Sequence, residues 1–537
     1  MTTADDPALA RWSEPCWDLA ALIQRQGDAL GPAPYLSFAR DSVQLSFADV
    51  DERSGRLAGG LAELGVRRGD HVVIMSSNRA EFVLTWFALA KLGAVQVPVN
   101  TAYRGSWLQH VVITSGAAIA VVEDELLDAF AAVDVPGLTD LVVIGEPAPI
   151  GALRGHRFDE LEAAPAPSSE PAQLADLAAV HFTSGTTGRS KGAAIPLPAM
   201  DLLTRRNAQL LDLTPESVYS TELPLFHINA QMTVQGALLA GARAHVEERF
   251  SATQWLERLR AVGATHTSML GVMVDFVLAQ PPTDRDLEQP LRAVWTVPCV
   301  PAAVERLRAR FGIERIVTSY GTTELGMLAR RVVAPGSSDT SSGPVDAAHY
   351  TVQIVDPVSD ELVPTGEVGE LVVRPRAPWT TMTGYVAMPE RTIEAYRNLW
   401  MHSGDCARLD ADGNLHFVDR LHDRIRRRGE NVASADLEHE LAQHPAVVEV
   451  AVIPVPATED GGEDEIKACV VTREDFDLDE FWAWCDERLP SFAVPRYVER
   501  FAELPKTPTA KVLKTPLRES ARNERTADRG PRRVRSA

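Results

Sequence analysis

The sequence predicts an α/β fold: a large N-terminal domain of parallel-sheet α/β layers, followed by a small α+β domain. Three observations predict it. The first half alternates apolar strand runs with helical runs, and β-α-β order makes a parallel sheet with helices on both faces. Near residue 421 the texture changes to shorter strands and helices. A chain of 537 residues is also too long for one ordinary core.

The elements follow in order. His71-Val-Val-Ile-Met75 is a continuous apolar run and reads as a buried strand. Residues 80–92 read as a helix and Ala94-Val-Gln-Val-Pro98 as the next strand. The stretch 82–99 is the most apolar in the chain but holds Lys91 and Gly93, so it reads as helix then strand and not as a membrane span. Val142-Val-Ile144 is a further strand, and Pro165-Ala-Pro-Ser-Ser-Glu-Pro171 a surface linker. Beyond residue 421 come a helix over 432–443, strands over 447–453 and 466–471, and a helix over 478–489. The end is rich in Arg, Glu and Pro without apolar periodicity, so 517–537 are expected to be a disordered tail.

Composition excludes several functions. Net charge is −21, which disfavours a nucleic-acid partner and an acidic membrane surface. Cys16, Cys299, Cys406, Cys469 and Cys485 lie without C-x-x-C spacing, so neither a zinc site nor a disulfide framework is indicated and a reducing cytoplasm fits. The acidic start Met1-Thr-Thr-Ala-Asp-Asp lacks a signal-peptide pattern.

The chemistry concentrates first in His181-Phe-Thr-Ser-Gly-Thr-Thr-Gly-Arg-Ser-Lys-Gly192. Leu177-Ala-Ala-Val-His-Phe182 reads as a buried strand feeding it. Glycines let the backbone approach an anion, hydroxyls and N–H groups donate to phosphate oxygens, and lysine adds a point charge. G-x-x-x-x-G-K-[ST] fails because Ser190 precedes Lys191, and G-x-G-x-x-G fails on glycine spacing.

Thr183-Ser-Gly-Thr-Thr-Gly-Arg-Ser-Lys-Gly192 resembles the phosphate loop of the adenylate-forming superfamily, acyl-CoA synthetase branch, with Ser190 where proline is usual. The resemblance spans roughly residues 40–515, with the remaining motifs in family order. It implies that Thr183, Ser184, Gly185, Thr186, Thr187, Gly188 and Lys191 hold nucleotide phosphate. In Ser319-Tyr-Gly-Thr-Thr-Glu324 it implies Ser319, Tyr320, Gly321, Thr322 and Thr323 around AMP, with Tyr320 under adenine and Glu324 on Mg²⁺. A hard cation wants oxygen ligands and bridges phosphates, so an acidic residue suits that place. Asp405 of Ser403-Gly-Asp405 takes the ribose hydroxyls, and Arg420 contacts ribose or phosphate. Asp412-Gly413 between them is a hairpin signal. Gly384-Tyr385 reads as structural.

Further implications follow for the mobile part and the acid. The family's mobile lysine falls on Lys511, with Ala510 in place of the usual glycine; it would stabilise charge on the oxygens as carboxylate attacks phosphorus. The pivot falls on His422, giving a domain of 1–420, a hinge of 421–422 and a mobile lid of 423–516. A β-barrel-like part is expected within the large domain. Leu223-Pro-Leu-Phe-His-Ile-Asn-Ala-Gln231 resembles the acyl-pocket segment, with His227 as its gate. Phe226-His227-Ile228 and Thr318-Ser-Tyr-Gly321 resemble the neighbourhood in bacterial carnitine/crotonobetaine-CoA ligases. The acid pocket is expected from Asn229, Gln231, Met232, Met269 and Val297-Pro298-Cys299, the last replacing a usual Gly-Gly-Ala-Pro run. With neither Lys nor Arg among these, a dicarboxylate is not favoured.

The expected activity is an AMP-dependent acid–thiol ligase using ATP, Mg²⁺ and CoA. Its partners would be a small-molecule oxyacid and CoA or another acceptor, with no nucleic acid and no membrane insertion; a homodimer stays open. Two rivals stand beside it: adenylation with an amine acceptor or with nitrite, and a non-catalytic nucleotide-binding homologue.

Overall fold

The computed structural model describes residues 17–167, 171–183, 190–421, 425–427, 430–432, 434–456, 464–489, 493–506 and 512–530. Two eight-stranded sheets organise the large domain. In one, His71–Met75, Val95–Pro98, Ile119–Glu123, Asp140–Ile144 and Arg154–Arg157 run parallel. The antiparallel pair Leu177–Thr183 and Lys191–Pro196 joins it through Val95–Pro98, and Gly384–Tyr385 forms the edge. The other sheet carries Pro34–Phe38, Arg243–Val246, Val218–Thr221, His266–Leu270, Ala293–Val297 and Arg315–Thr322 in parallel. Its antiparallel edges are Gln44–Ser46 and Gly326–Val332.

Local chemistry sets these elements. Val72–Met75 are buried throughout, as a parallel strand covered on both faces requires. The helix Ala80–Leu92 is apolar nearly all round and stops at Gly93, whose left-handed backbone (φ 65°) returns its N–H to Ala90 and Leu89 carbonyls. The expected barrel-like part takes the form of a four-stranded antiparallel sheet, Tyr350–Val355, Gly369–Pro375, Met401–Leu409 and Leu415–Arg420. Its last hairpin turns through Asp410–Asn414, where the Asp410 carboxylate accepts the N–H groups of Asp412 and Asn414.

The small domain has its own apolar core around Ile425, Leu437, Val452, Val470, Phe481 and Trp482. Four strands, Val447–Pro456, Asp464–Thr472, Tyr497–Arg500 and Ala527–Asp528, carry the helices Ser434–Leu441, Leu478–Arg488 and Lys514–Glu519. The expectation of a disordered tail from 517 is corrected for 517–530. Ala527–Asp528 pairs with Tyr497–Val498, and Arg529 is ion-paired to Asp486 and lies over the Trp482 ring. Two-residue strands leave no periodicity to read, and arginine pairs hold this one. Residues 531–537 lie outside the described residues.

Candidate active site

The loop strand and its return strand fix the first half of the site. Thr183 and Lys191 are register partners across the antiparallel pair, so they stand side by side whatever the intervening loop does. Thr183 Oγ1 donates to Glu324 Oε1 at 3.1 Å, and Tyr385 OH donates to the same oxygen at 3.3 Å. Lys191 Nζ sits 4.4 Å from the Tyr385 ring centroid. Burial pushes the Lys191 ammonium below its ordinary pKa while Glu324 pulls it back up. Beside Tyr385 a cavity of about 470 Å³ opens, lined by Ala194, Thr383, Met388, Pro389 and Ile393.

Two hairpins build the second half. Asp405 and Arg420 are register partners, which puts Arg420 Nη1 2.9 Å from Asp405 Oδ1. Tyr320 OH donates to Asp405 Oδ2 at 2.5 Å, and the Phe417 ring stacks on Tyr320 with centroids 6.0 Å apart. Asp405 is buried, and burial raises its pKa against the lowering effect of Arg420 and Tyr320. Tyr320 titrates far above its ordinary range because it is buried and faces Asp405. The two halves act on each other: Glu324 raises Asp405, and Arg420 lowers Lys191.

Gly321 has a steric reason for its place. The strand register slips between Tyr320 and Gly321, and a Cβ at Gly321 would stand 2.3 Å from the Gly326 carbonyl oxygen. Thr322 Oγ1 accepts the Leu325 N–H, and Ser319 Oγ accepts the Trp295 indole N–H at 3.1 Å. Thr323 is half-buried in the same turn.

The acid-pocket candidates divide. Met232 and Val297 belong to one apolar cluster with Trp295 and Met327, whereas Met269 and Cys299 pack into another, Cys299 only partly buried. The candidates thus stand in different packing environments. Gln231 is fully buried and exchanges side-chain hydrogen bonds with Gln96 at 3.0 and 3.2 Å while donating to Leu225 O, so it ties elements together. Pro298 follows a cis peptide after Val297 and crowds Gly271. Asn229 Oδ1 is buried without a hydrogen bond among the described residues. His227 precedes the helix Ile228–Ala240, its ring against Phe226. Beneath lies His181, whose pKa falls to about 4 through burial and then through His227.

Ser184, Gly185, Thr186, Thr187, Gly188, His422 and Lys511 lie outside the described residues. Sequence reasoning missed Tyr385, read as structural; the signal available was an aromatic hydroxyl next to a glycine before the helix Pro389–Ala395. It also missed Phe417 and Trp295.

Known proteins resemble this chain along most of its length. Residues 23–386 match the family profile described as AMP-binding enzyme, and 436–511 match the AMP-binding enzyme C-terminal domain. The crotonobetaine/carnitine–CoA ligase of Salmonella typhi is 32% identical over 496 residues, covering 88% of this chain and 93% of that protein. The ATP-bound structure of MatB from Rhodopseudomonas palustris superposes with a TM-score of 0.81 at 25% identity, covering 93% of this chain and 98% of MatB. The anthranilate CoA ligase AuaEII in complex with anthranoyl-AMP has the same fold, with a TM-score of 0.82 at 24% identity and coverage of 97% and 99%.

Proposed function

The chain belongs to the AMP-binding enzyme family, and on that premise we propose how its residues carry out the two steps of an AMP-forming acyl-CoA ligase. In the first, a carboxylate oxygen attacks the α-phosphorus of Mg·ATP; the new O–P bond forms as the bond to the β-phosphate oxygen breaks, and pyrophosphate leaves. In the second, the sulfur of CoA attacks the acyl carbon. The C–S bond forms, the C–O bond to phosphate breaks, and AMP leaves with the thiol proton passing to solvent.

One observation carries this assignment: Tyr320, Asp405 and Arg420 meet in one contact set beside Thr183, Lys191 and Glu324. Asp405 offers its remaining lone pairs to ribose hydroxyls, and Arg420 stands ready for ribose or phosphate. Tyr320 and Phe417 form an aromatic wall for the base. Glu324 is the carboxylate that Thr183 and Tyr385 hold at the phosphate end, and no cluster of three metal-ligating side chains exists among the described residues. Glu324 would hold a Mg²⁺ ion brought in with the nucleotide, and that ion would neutralise phosphate charge. Lys191 supplies positive charge in a half-dry place, where it acts strongly on phosphate oxygens. We assign Lys511 to the attacking carboxylate, His227 to the mouth of the acid pocket and residues 421–422 to the pivot.

Two of the relatives named above are described as CoA ligases, which favours a thioester over an amide or a diazo product. No helix among the described residues is long and apolar enough to cross a membrane, and Cys299, Cys406, Cys469 and Cys485 are unbridged; we take the setting to be cytoplasmic. A carboxylate panel assayed by ATP–pyrophosphate exchange tests the first step, and AMP release with and without CoA tests the second. Release independent of CoA would reject the thioester.

A further inference from the structure

Two arginines distant in sequence meet beside the apolar cluster that holds Met232 and Val297. Arg206 lies on the helix Leu197–Leu211, and Arg330 on the edge strand Gly326–Val332. Both reach Asp346: Arg206 Nη2 is 2.9 Å from Asp346 Oδ2, and Arg330 Nη1 is 3.7 Å from it. His349 completes the group, with Nδ1 3.1 Å from Asp346 Oδ1 and 2.5 Å from Arg206 Nη2. All four side chains are largely buried, Arg206 16% and Arg330 25% exposed.

The charges do not balance. Among the described residues Asp346 is the one carboxylate acting on either guanidinium; Arg205 lowers Arg206, and Arg206 lowers Arg330. Arg205, next in sequence, is matched by Asp201 and supplies no spare anion. Burial and Arg206 bring the Arg330 pKa down to about 10. Arg330 Nη1 is buried without a hydrogen bond among the described residues. Two guanidiniums on one carboxylate leave an excess positive charge away from water, which is costly unless an anion answers it.

Position says which anion. Arg330 is the register partner of Ser319, and direct partners project to the same face of a sheet. Ser319 Oγ takes the Trp295 N–H, so that face is the one bearing Trp295, Met232 and Met327. On the helix, Leu203 and Leu210 belong to that same cluster, and Arg206 falls on their face by helical spacing. The guanidiniums thus lie on the sheet face that carries Ser319 and the Trp295 cluster, opposite the face on which Tyr320 reaches Asp405.

We propose that Arg206 and Arg330 form a subsite for a second carboxylate on the acid substrate, so that the activated acid is a dicarboxylate with one end at the α-phosphate and the other at this pair. The proposal rests on the chain being an acid-activating ligase, and it reverses the sequence-based expectation that a dicarboxylate is not favoured. A guanidinium fork binds a carboxylate in two parallel hydrogen bonds, and such charged bonds shift binding about ten- to hundredfold.

The test is ATP–pyrophosphate exchange by the full-length protein with length-matched aliphatic and aromatic acids, each as the dicarboxylate, its monomethyl ester and the plain monocarboxylate. At least one dicarboxylate should show a kcat/KM about tenfold or more above both of its matched partners. Arg330→Met should shrink that ratio by about ten- to hundredfold, and Arg330→Lys should restore part of it. Monocarboxylates equal to or better than every dicarboxylate would overturn the subsite while leaving the ligase reading intact. A ratio unmoved in Arg330→Met would also overturn it. Exchange with no acid at all would reject the ligase reading, and the subsite with it. The wild-type comparison stands even if the variant fails to fold.

Discussion

Replacing Asp405 by asparagine should separate nucleotide binding from stability. Asp405 holds Arg420 through Oδ1 at 2.9 Å and Tyr320 OH through Oδ2 at 2.5 Å. An amide keeps one acceptor oxygen, so the Tyr320 bond survives, but the charge is gone. The ribose then loses a charge-assisted hydrogen bond, about 1.5–3 kcal/mol, which raises KM for ATP about 10- to 150-fold. Stability should not fall with it. The carboxyl is buried and its pKa is raised; a raised acid contributes its full stability below its unfolded pKa and loses it as pH rises through the folded value. At neutral pH the ionised group is therefore a net cost that asparagine removes, and Arg420, nearly half exposed, turns to water. The assay pairs ATP KM from pyrophosphate exchange with Tm from differential scanning fluorimetry. An unchanged KM refutes the assignment of Asp405 to ribose, and a fall in Tm refutes the electrostatic argument.

Three other outcomes follow from the same geometry. Gly321→Ala should cost about 1–3 kcal/mol, the usual penalty for a methyl forced against fixed neighbours, because its Cβ meets the Gly326 carbonyl; a Tm equal to the parent would contradict this. His181 and His266 are buried with pKa values of about 4. A base with a depressed folded pKa gives full stability above its unfolded value near 6.5 and loses it as pH falls toward the folded value. Urea unfolding at pH 5 should thus show a loss of roughly 2 kcal/mol per histidine relative to pH 7, and a flat profile would show that neither is held neutral. Lys511→Ala should lower pyrophosphate exchange at least about hundredfold, the scale of losing one preorganised transition-state charge; exchange at the parental rate would remove Lys511 from the reaction.

Much of the frame is legible in the sequence, for a physical reason. Strands buried on both faces must be continuously apolar, so His71–Met75 appears at its observed bounds, and the helix Ala80–Leu92 ends where Gly93 permits a left-handed turn. The phosphate strand is legible because a Gly/Thr/Ser loop after an apolar run has few other uses, and Asp412-Gly413 announces the hairpin that pairs Asp405 with Arg420. What stays hidden depends on contacts between distant segments. Nothing local distinguishes Tyr385 from a packing tyrosine until Glu324 is placed against its hydroxyl. Met232, on the helix Ile228–Ala240, and Met269, on the strand His266–Leu270, look alike in sequence yet pack into different apolar clusters. Arg206 and Arg330 read as ordinary surface charges until the sheet edge, the helix and the segment before Tyr350 bring them onto Asp346.

The central claim is that a carboxylate oxygen becomes bonded to the α-phosphorus of ATP. Turnover of a supported acid carrying ¹⁸O in its carboxyl group, with CoA present, tests it most directly by mass spectrometry of the released nucleotide. One ¹⁸O atom in the phosphate of AMP, formed in step with the thioester, is the expected result. Unlabelled AMP, or ADP with labelled inorganic phosphate, would contradict it.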